Sequence, residues 1–478
     1  MQPEHFAFGG GAATSTASPI IIAIVLLIGV LILTMRRSRV IVPVMLAFLL
    51  IPFGQVIVVA GLHFQMLRIV TVIVLIRMIW SGVITGRDKP ALPMSHPIDR
   101  VVIYCAVAGS VAFLCRFPLW DAFINQLGNL LTSLGVYFAL RFLIRDQEDV
   151  IRCLKSLAVV AAFGALLMMF EDVTGRNLVG YIGGVPVLAG LRDGRVRAQA
   201  FFENPILAGS FGATLLPLSV CLWLHSRKTR KYAVICALGA TGMTLASASS
   251  TPALAYLAGL FAFAFWPMRK AMRLVRWGIV VLLICLHIIM KGPVWALIAH
   301  IDIIGGNSAD HRYQLVNQCI LHFKEWWLVG TSDNGNWGWD MWDTANQYVG
   351  TAEAGGLLTL ILFIAVISRA FQSIGRARKA VSSDRTKQLF FWSFGAALFA
   401  HCAAFFGIGY YDQTVVSWDA LLIMIIVATG AYVPVRAAVP VLDRGTNKAS
   451  RRFKEWEQTP SAEKGLAGRL YPSSPLRR

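Results

Sequence analysis

Charge is scarce in this chain. Asp, Glu, Lys and Arg make up 14% of its 478 residues, against 56% hydrophobic residues. A globular protein carries about 25% charged residues. There are too few charges here to coat a soluble surface, which excludes the two- or three-domain soluble protein that the length alone suggests. The eight cysteines form no C-x-x-C pair, so they read as small packing residues and not as a disulfide framework or a zinc site. The sequence lacks G-x-x-x-x-G-K-[ST], H-E-x-x-H and G-x-S-x-G. Nucleotide hydrolysis, zinc chemistry and serine-hydrolase chemistry therefore have no support. Asp333 and Asp340 match the spacing of no calcium loop. Internal repeats are absent. A cleaved signal is not expected, because Arg36, Arg37 and Arg39 follow the first apolar run instead of preceding it.

Long apolar runs are abundant. A helical span needs about 20 mostly apolar residues. Candidate runs lie at 19–35, 40–60, 64–84, 99–117, 122–144, 151–170, 206–225, 232–248, 251–267, 276–292, 353–372, 389–409 and 417–436. The expectation is an all-α integral membrane protein with about 13 (12–14) transmembrane helices. The range reflects the short pair within 232–267, whose Ser/Thr-rich turn runs from Ser247 to Thr251. The net charge of +19 would elsewhere suggest nucleic acid. Here every second connection is basic, as in Arg227 to Lys231 and Arg376 to Lys387. Lys and Arg mark the cytoplasmic side of membrane proteins. The N-terminal segment 1–18 then lies outside and the tail inside. That tail, 441–478, is basic and polar and reads as disordered.

Two outside connections, 171–205 and 293–352, are long at 35 and 60 residues, and long loops in compact domains are usually functional. The first carries Arg176, Arg192, Arg195 and Arg197, against the charge rule that the other connections obey. Arginine offers a planar fork suited to phosphate oxygens, and this run leads through Glu203 into the next span at headgroup depth. Lipid anchoring and local pairing with Asp172, Asp193 or Glu203 are the plainer readings. The second loop carries Asp310-His311-Arg312, an apolar helical pattern over 313–325 (Leu315, Val316, Ile320, Phe323) and five tryptophans within 326–342. Interfacial anchoring accounts for some Trp. Trp337, Trp339 and Trp342 beside Asn346 and Tyr348 also suit glycan binding, with ring faces covering sugar C–H surfaces.

The chain resembles the O-antigen ligase and O-antigen polymerase superfamily, which includes exopolysaccharide polymerases. The resemblance rests on Arg197 through Asn204-Pro205-Ile206-Leu207-Ala208-Gly209, on the turn within Thr244 to Leu257, and on Arg312, Trp327-Leu328-Val329-Gly330, Asn346-Gln347-Tyr348 and Glu353-Ala354-Gly355-Gly356-Leu357-Leu358. It spans about residues 195–365. Two places depart from the family pattern. The turn reads Ser249-Ser250 where members often have Ser-Arg, and Ala345 stands where ligases often have His. The His-less form is closer to exopolysaccharide polymerases.

The resemblance implies a metal-independent glycosyltransferase of a bacterial inner membrane, without cofactor, working at the periplasmic face. It would polymerise undecaprenyl-diphosphate-linked repeat units alongside membrane lipids and other polysaccharide-assembly proteins. Transfer to an acceptor by a ligase, and a transporter or flippase of lipid-linked sugars, are the alternatives; a non-catalytic scaffold is a further one. The catalytic candidates are Arg197, Arg312, His311 and Glu203, with Asp310, Asp343 and Glu353 as further possible bases. Arg192, Arg195, Arg197 and Arg312 would hold the diphosphate, which requires Arg197 and Arg312 to approach each other. Trp337, Trp339, Trp342, Asn346 and Tyr348 would hold glycan.

Overall fold

The computed structural model describes residues 15–59, 62–84, 96–300 and 308–432. The tail 441–478, residues 1–14 of the N-terminal segment and 301–307 of the second long loop lie outside the described residues. The chain divides into units 1–433 and 434–478, and only the first is described. Its helices are α1 (Pro19–Thr34), α2 (Arg37–Leu50), α3 (Met66–Ile79), α4 (Pro97–Arg116), α5 (Trp120–Leu130), α6 (Val136–Leu143), α7 (Gln147–Thr174) and α8 (Pro205–His225). They continue with α9 (Arg230–Ala246), α10 (Ser250–Ala264), α11 (Met272–Ile289), α12 (Ser308–Leu321), α13 (Phe323–Trp326), α14 (Gln347–Ala380), α15 (Arg385–Ala404) and α16 (Gln413–Thr429). Sheet among the described residues is limited to two hairpins, β1–β2 (Val56–Val59, Leu62–Gln65) and β3–β4 (Gly190–Arg192, Arg195–Arg197).

Among the described residues six helices are long and apolar enough to cross a membrane: α4, α7, α8, α11, α14 and α16 with its final turn. Their lipid-compatible surfaces include Leu166 and Met169 on α7 and nearly all of α11, which buries no side chain. Long helices leave no backbone group unsatisfied in hydrocarbon, so the chain is an all-α membrane protein. The run 40–60 is not one helix. Residues before proline avoid helical geometry; Ile51, preceding Pro52, is extended, α2 stops at Leu50, and the chain enters the β1–β2 hairpin.

The packed centre is α8, set against α9, α10 and α15, with α9 also against α7. Close approach depends on small residues. A Cβ on Gly239 of α9 would lie 2.6 Å from the Ala161 carbonyl carbon of α7. Phe48, Tyr137, Phe201, Phe211, Phe394 and Phe405 fill this core. The second long loop has an apolar core of its own, built from Leu315, Cys319, Trp326, Trp337 and Met341 against Val349 and Ala352 of α14. The buried face of α12 is therefore Leu315 and Cys319, while Ile320 and Phe323 of the expected pattern face outward.

Helix α14 contains a break. Gly356 has φ 75° and ψ −175°, a geometry that glycine adopts without strain. A Cβ there would meet the Leu328 carbonyl. The carbonyls around the break are taken by Arg116 at the end of α4, which donates to Glu353 O (3.1 Å), Ala354 O (2.6 Å) and Thr331 O.

Candidate functional site

The first long loop is built around Glu171, the buried acid near the end of α7. Its Oε2 accepts the backbone N–H groups of Gln199 (3.1 Å) and Ala200 (2.9 Å). Asn177 Nδ2 donates to Ala200 O at 2.7 Å. Asn204 caps α8 by accepting from Ile206 N (2.8 Å), and Pro205 occupies the first helical turn. This is the favoured start of a helix. Phe201 and Phe202 are fully buried. The segment after Arg197 is thus a rigid mount.

The hairpin β3–β4 turns at Asp193-Gly194, both with positive φ, as a two-residue turn of this type requires. Arg192 pairs with Arg195, and Gly190 with Arg197. Directly opposed residues share a face, as do residues two apart. Arg192, Arg195 and Arg197 therefore project from one face, and Leu191 and Val196 from the other. Asp193 lies 3.8 Å from Arg192. Arg197 is half-buried. Its Nη2 donates to Ser249 Oγ at 2.7 Å, while its Nε is buried without a hydrogen-bond partner. Burial first, and then the Arg192 charge, hold the Arg197 pKa below the ordinary arginine value. Ser249 belongs to the Ser/Thr turn between α9 and α10, which Ala198 also reaches through Ala246 O (3.1 Å).

The second loop hangs on Glu353. Its Oε1 accepts from Asn334 Nδ2 (3.1 Å) and its Oε2 from Thr344 Oγ1 (2.8 Å). Arg312 is half-buried on α12, which packs against α14 and the turn Val294–His300. His311 Nε2 donates to Asp340 O at 3.0 Å, which leaves Nδ1 as the acceptor nitrogen. Trp337 is buried, stacked on His322 at 5.0 Å and bonded through Nε1 to Glu325 Oε2 (2.8 Å). Trp339 and Trp342 are 88% and 74% exposed. Asn346 is buried and caps α14 through Tyr348 N and Val349 N. Tyr348 donates to Cys402 O (3.2 Å) within a cluster of Phe363, Phe405 and Phe406. Of the five residues expected to hold glycan, Trp339 and Trp342 present free ring faces. Trp337, Asn346 and Tyr348 hold the fold.

Both loops meet the short connection 405–412 between α15 and α16. Thr251 Oγ1 donates to Gly407 O (3.2 Å), Asn346 Nδ2 to Phe406 O (3.4 Å), and Tyr410 N to Gln347 Oε1 (2.5 Å). Glu203 N donates to Asp412 Oδ2 at 3.2 Å. Asp412 is buried, has φ 54° and also caps α16 through Thr414 N. Burial pushes its carboxyl up to about 8, with the Glu203 charge adding to the rise. Glu203 is exposed at its rim, yet burial raises its carboxyl as well. The charges of Asp412, Glu203 and Asp343 add to burial in raising Tyr411, so carboxylates of both loops gather there. Sequence reasoning passed over this connection because it is short. Gly407-Ile408-Gly409-Tyr410-Tyr411-Asp412 between two apolar runs was the available signal.

Compared with models of known protein families and with curated proteins, the chain matches none.

Proposed function

We propose that the protein is a membrane glycosyltransferase of the O-antigen polymerase and ligase type, polymerising diphosphate-lipid-linked glycan repeat units at the surface formed by the two long loops. The observation that carries this reading is the hairpin with three arginines on one face, backed by Arg197 with an unpartnered buried Nε. That arrangement suits an anion with several oxygens, such as a lipid diphosphate. In the proposed step the acceptor hydroxyl oxygen attacks the anomeric carbon. The bond from that carbon to the phosphate oxygen breaks, and the lipid diphosphate leaves with the electron pair, its charge met by Arg197 and its neighbours. The hydroxyl proton passes to Glu203, six residues from Arg197 and held by Asp412; a raised carboxyl pKa suits a base. His311 Nδ1 is the other candidate. Trp339 and Trp342 offer faces to the glycan, and Ala345, where a ligase-like His would stand, favours polymerisation. The thirteen-span layout with both loops periplasmic belongs to the same proposal.

The test is a deletion strain complemented with wild type, Arg197→Ala or Arg312→Ala, with glycans resolved by length. Loss of polymerase leaves single repeat units on their carrier or acceptor. Full-length chains stranded on the carrier would identify a ligase, and normal glycan in both variants would refute the catalytic assignment.

A further inference from the structure

Away from the two loops, a second arginine pair sits where α10 ends and α14 meets α15. Arg269 lies in the 3-10 turn Trp266–Lys270 and Arg378 in the last turn of α14. Arg378 Nη1 donates to the backbone oxygen of Arg269 at 2.6 Å. The Arg269 guanidinium lies over the Trp266 ring at 4.5 Å, and that of Arg378 over Trp392 at 5.5 Å. The two indoles meet edge to face with centroids 5.7 Å apart. The Trp392 Nε1 is anchored on Ala262 O at 2.9 Å. Two half-buried cations are therefore held side by side on a fixed aromatic base.

Neither cation takes part in an ion pair among the described residues. Asp384, the nearby acid at the start of α15, pairs with Lys387 at 3.5 Å and caps its own helix. A guanidinium carries five N–H donors. Arg269 gives two nitrogens to protein acceptors, Gln388 Oε1 (3.4 Å) and Trp266 O (3.3 Å), and Arg378 gives one. Most donors of both groups remain for an outside acceptor. Like charges brought together in partial burial repel unless an anion lies between or beside them. Tryptophan rings and arginine heads together occupy headgroup depth in a bilayer. A phospholipid carries its phosphate at that depth, and guanidinium N–H groups pair with two of its oxygens at once.

We infer that Arg269 and Arg378 bind the phosphate of an anionic phospholipid headgroup in the leaflet that faces the basic connections. The site is independent of the glycosyl-transfer reading. Its function is to seat a lipid against the junction of α10, α14 and α15, so that the last turn of α14 is clamped by lipid and by the Arg269 carbonyl together.

The experiment uses the full chain purified in detergent, with native mass spectrometry after addition of phosphatidylglycerol, phosphatidylcholine or inorganic phosphate alone. Wild type should retain phosphatidylglycerol in preference to phosphatidylcholine. Arg269→Gln should reduce that preference about tenfold, the scale of one charge-assisted contact. This variant preserves the Arg378 tie, because the acceptor there is backbone, so loss of binding is not loss of the junction. The double variant with Arg378→Gln should abolish the preference. Equal retention of both lipids by wild type would overturn the proposal, as would unchanged preference in Arg269→Gln. Retention of inorganic phosphate without phosphatidylglycerol would overturn the lipid assignment and leave a free-phosphate site.

Discussion

The two long loops are each secured by one buried glutamate, and they differ in what the glutamate holds. Glu171 grips backbone amides, those of Gln199 and Ala200. Glu353 grips side chains, those of Asn334 and Thr344. The first arrangement constrains the path of the chain and leaves the side chains of the hairpin free to be arginine. The second constrains particular residues inside a tract that has its own apolar core. The outward offerings differ accordingly, with cations on the first loop and indole faces on the second. Under the glycosyl-transfer proposal a donor made of diphosphate and sugar would use both, and separate mounts allow each surface to be shaped without disturbing the other.

The largest expected effect comes from removing a cation. In a reconstituted assay with lipid-linked repeat units, Arg197→Ala should lower kcat by about 10²–10³-fold, whereas Trp339→Ala with Trp342→Ala should raise KM and leave kcat within a few-fold. The same kinetic pattern from both variants would erase the division between the loops.

Next in size is the buried indole. Trp337→Ala should destabilise the second loop by about 3–5 kcal/mol, read as protease cleavage within 331–345, and Trp339→Ala should change stability by no more than about 0.5 kcal/mol. Equal susceptibility of the two variants would contradict the assignment of Trp337 to the loop core.

The glutamates themselves come third. Glu353→Ala removes an acceptor from Asn334, which keeps its bond to Met341 O, and from the Thr344 hydroxyl, at about 1–3 kcal/mol for a group left unpaired. Glu171→Ala should cost a similar amount and loosen only the first loop. Hydrogen exchange resolved by loop would distinguish them, and coupled loosening of both loops would break the comparison.

The last expected effect is a slope with pH. Asp412 has its carboxyl raised to about 8 from an unfolded value near 3.9. The folded state then holds the proton more tightly. Its contribution to stability is complete below the unfolded value and is lost as pH rises toward 8. The melting temperature should therefore decline across that window, and Asp412→Asn should flatten the decline. An unchanged slope in the variant would show that another group titrates.

Much of this was legible in the sequence. Apolar run length predicted the helical membrane class, and Arg192, Arg195 and Arg197 stood out because they break the charge rule. The division of labour among Trp337, Trp339 and Trp342 was not legible. All three share one composition, and only the tertiary position of His322 and Glu325 decides which ring is buried. Asn346 looked like a sugar-binding amide because helix capping and ligand binding favour the same side chain. The end of α2 was readable from Pro52, but the apolar residues beyond it extend the run past the break. One partner of Asp412, Glu203, lies 209 positions away, beyond any local pattern.

The contacts of Arg116 bear on how the protein is made. Its acceptors lie 215 to 238 positions later in the chain. While α4 is entering the bilayer, those carbonyls have not yet been synthesised, so the guanidinium must be kept in water or among headgroups. The arginine gains these acceptors when the second loop and α14 arrive. The kink therefore doubles as a late receptor for an early charge, and it ties completion of the first half of the bundle to the synthesis of the second.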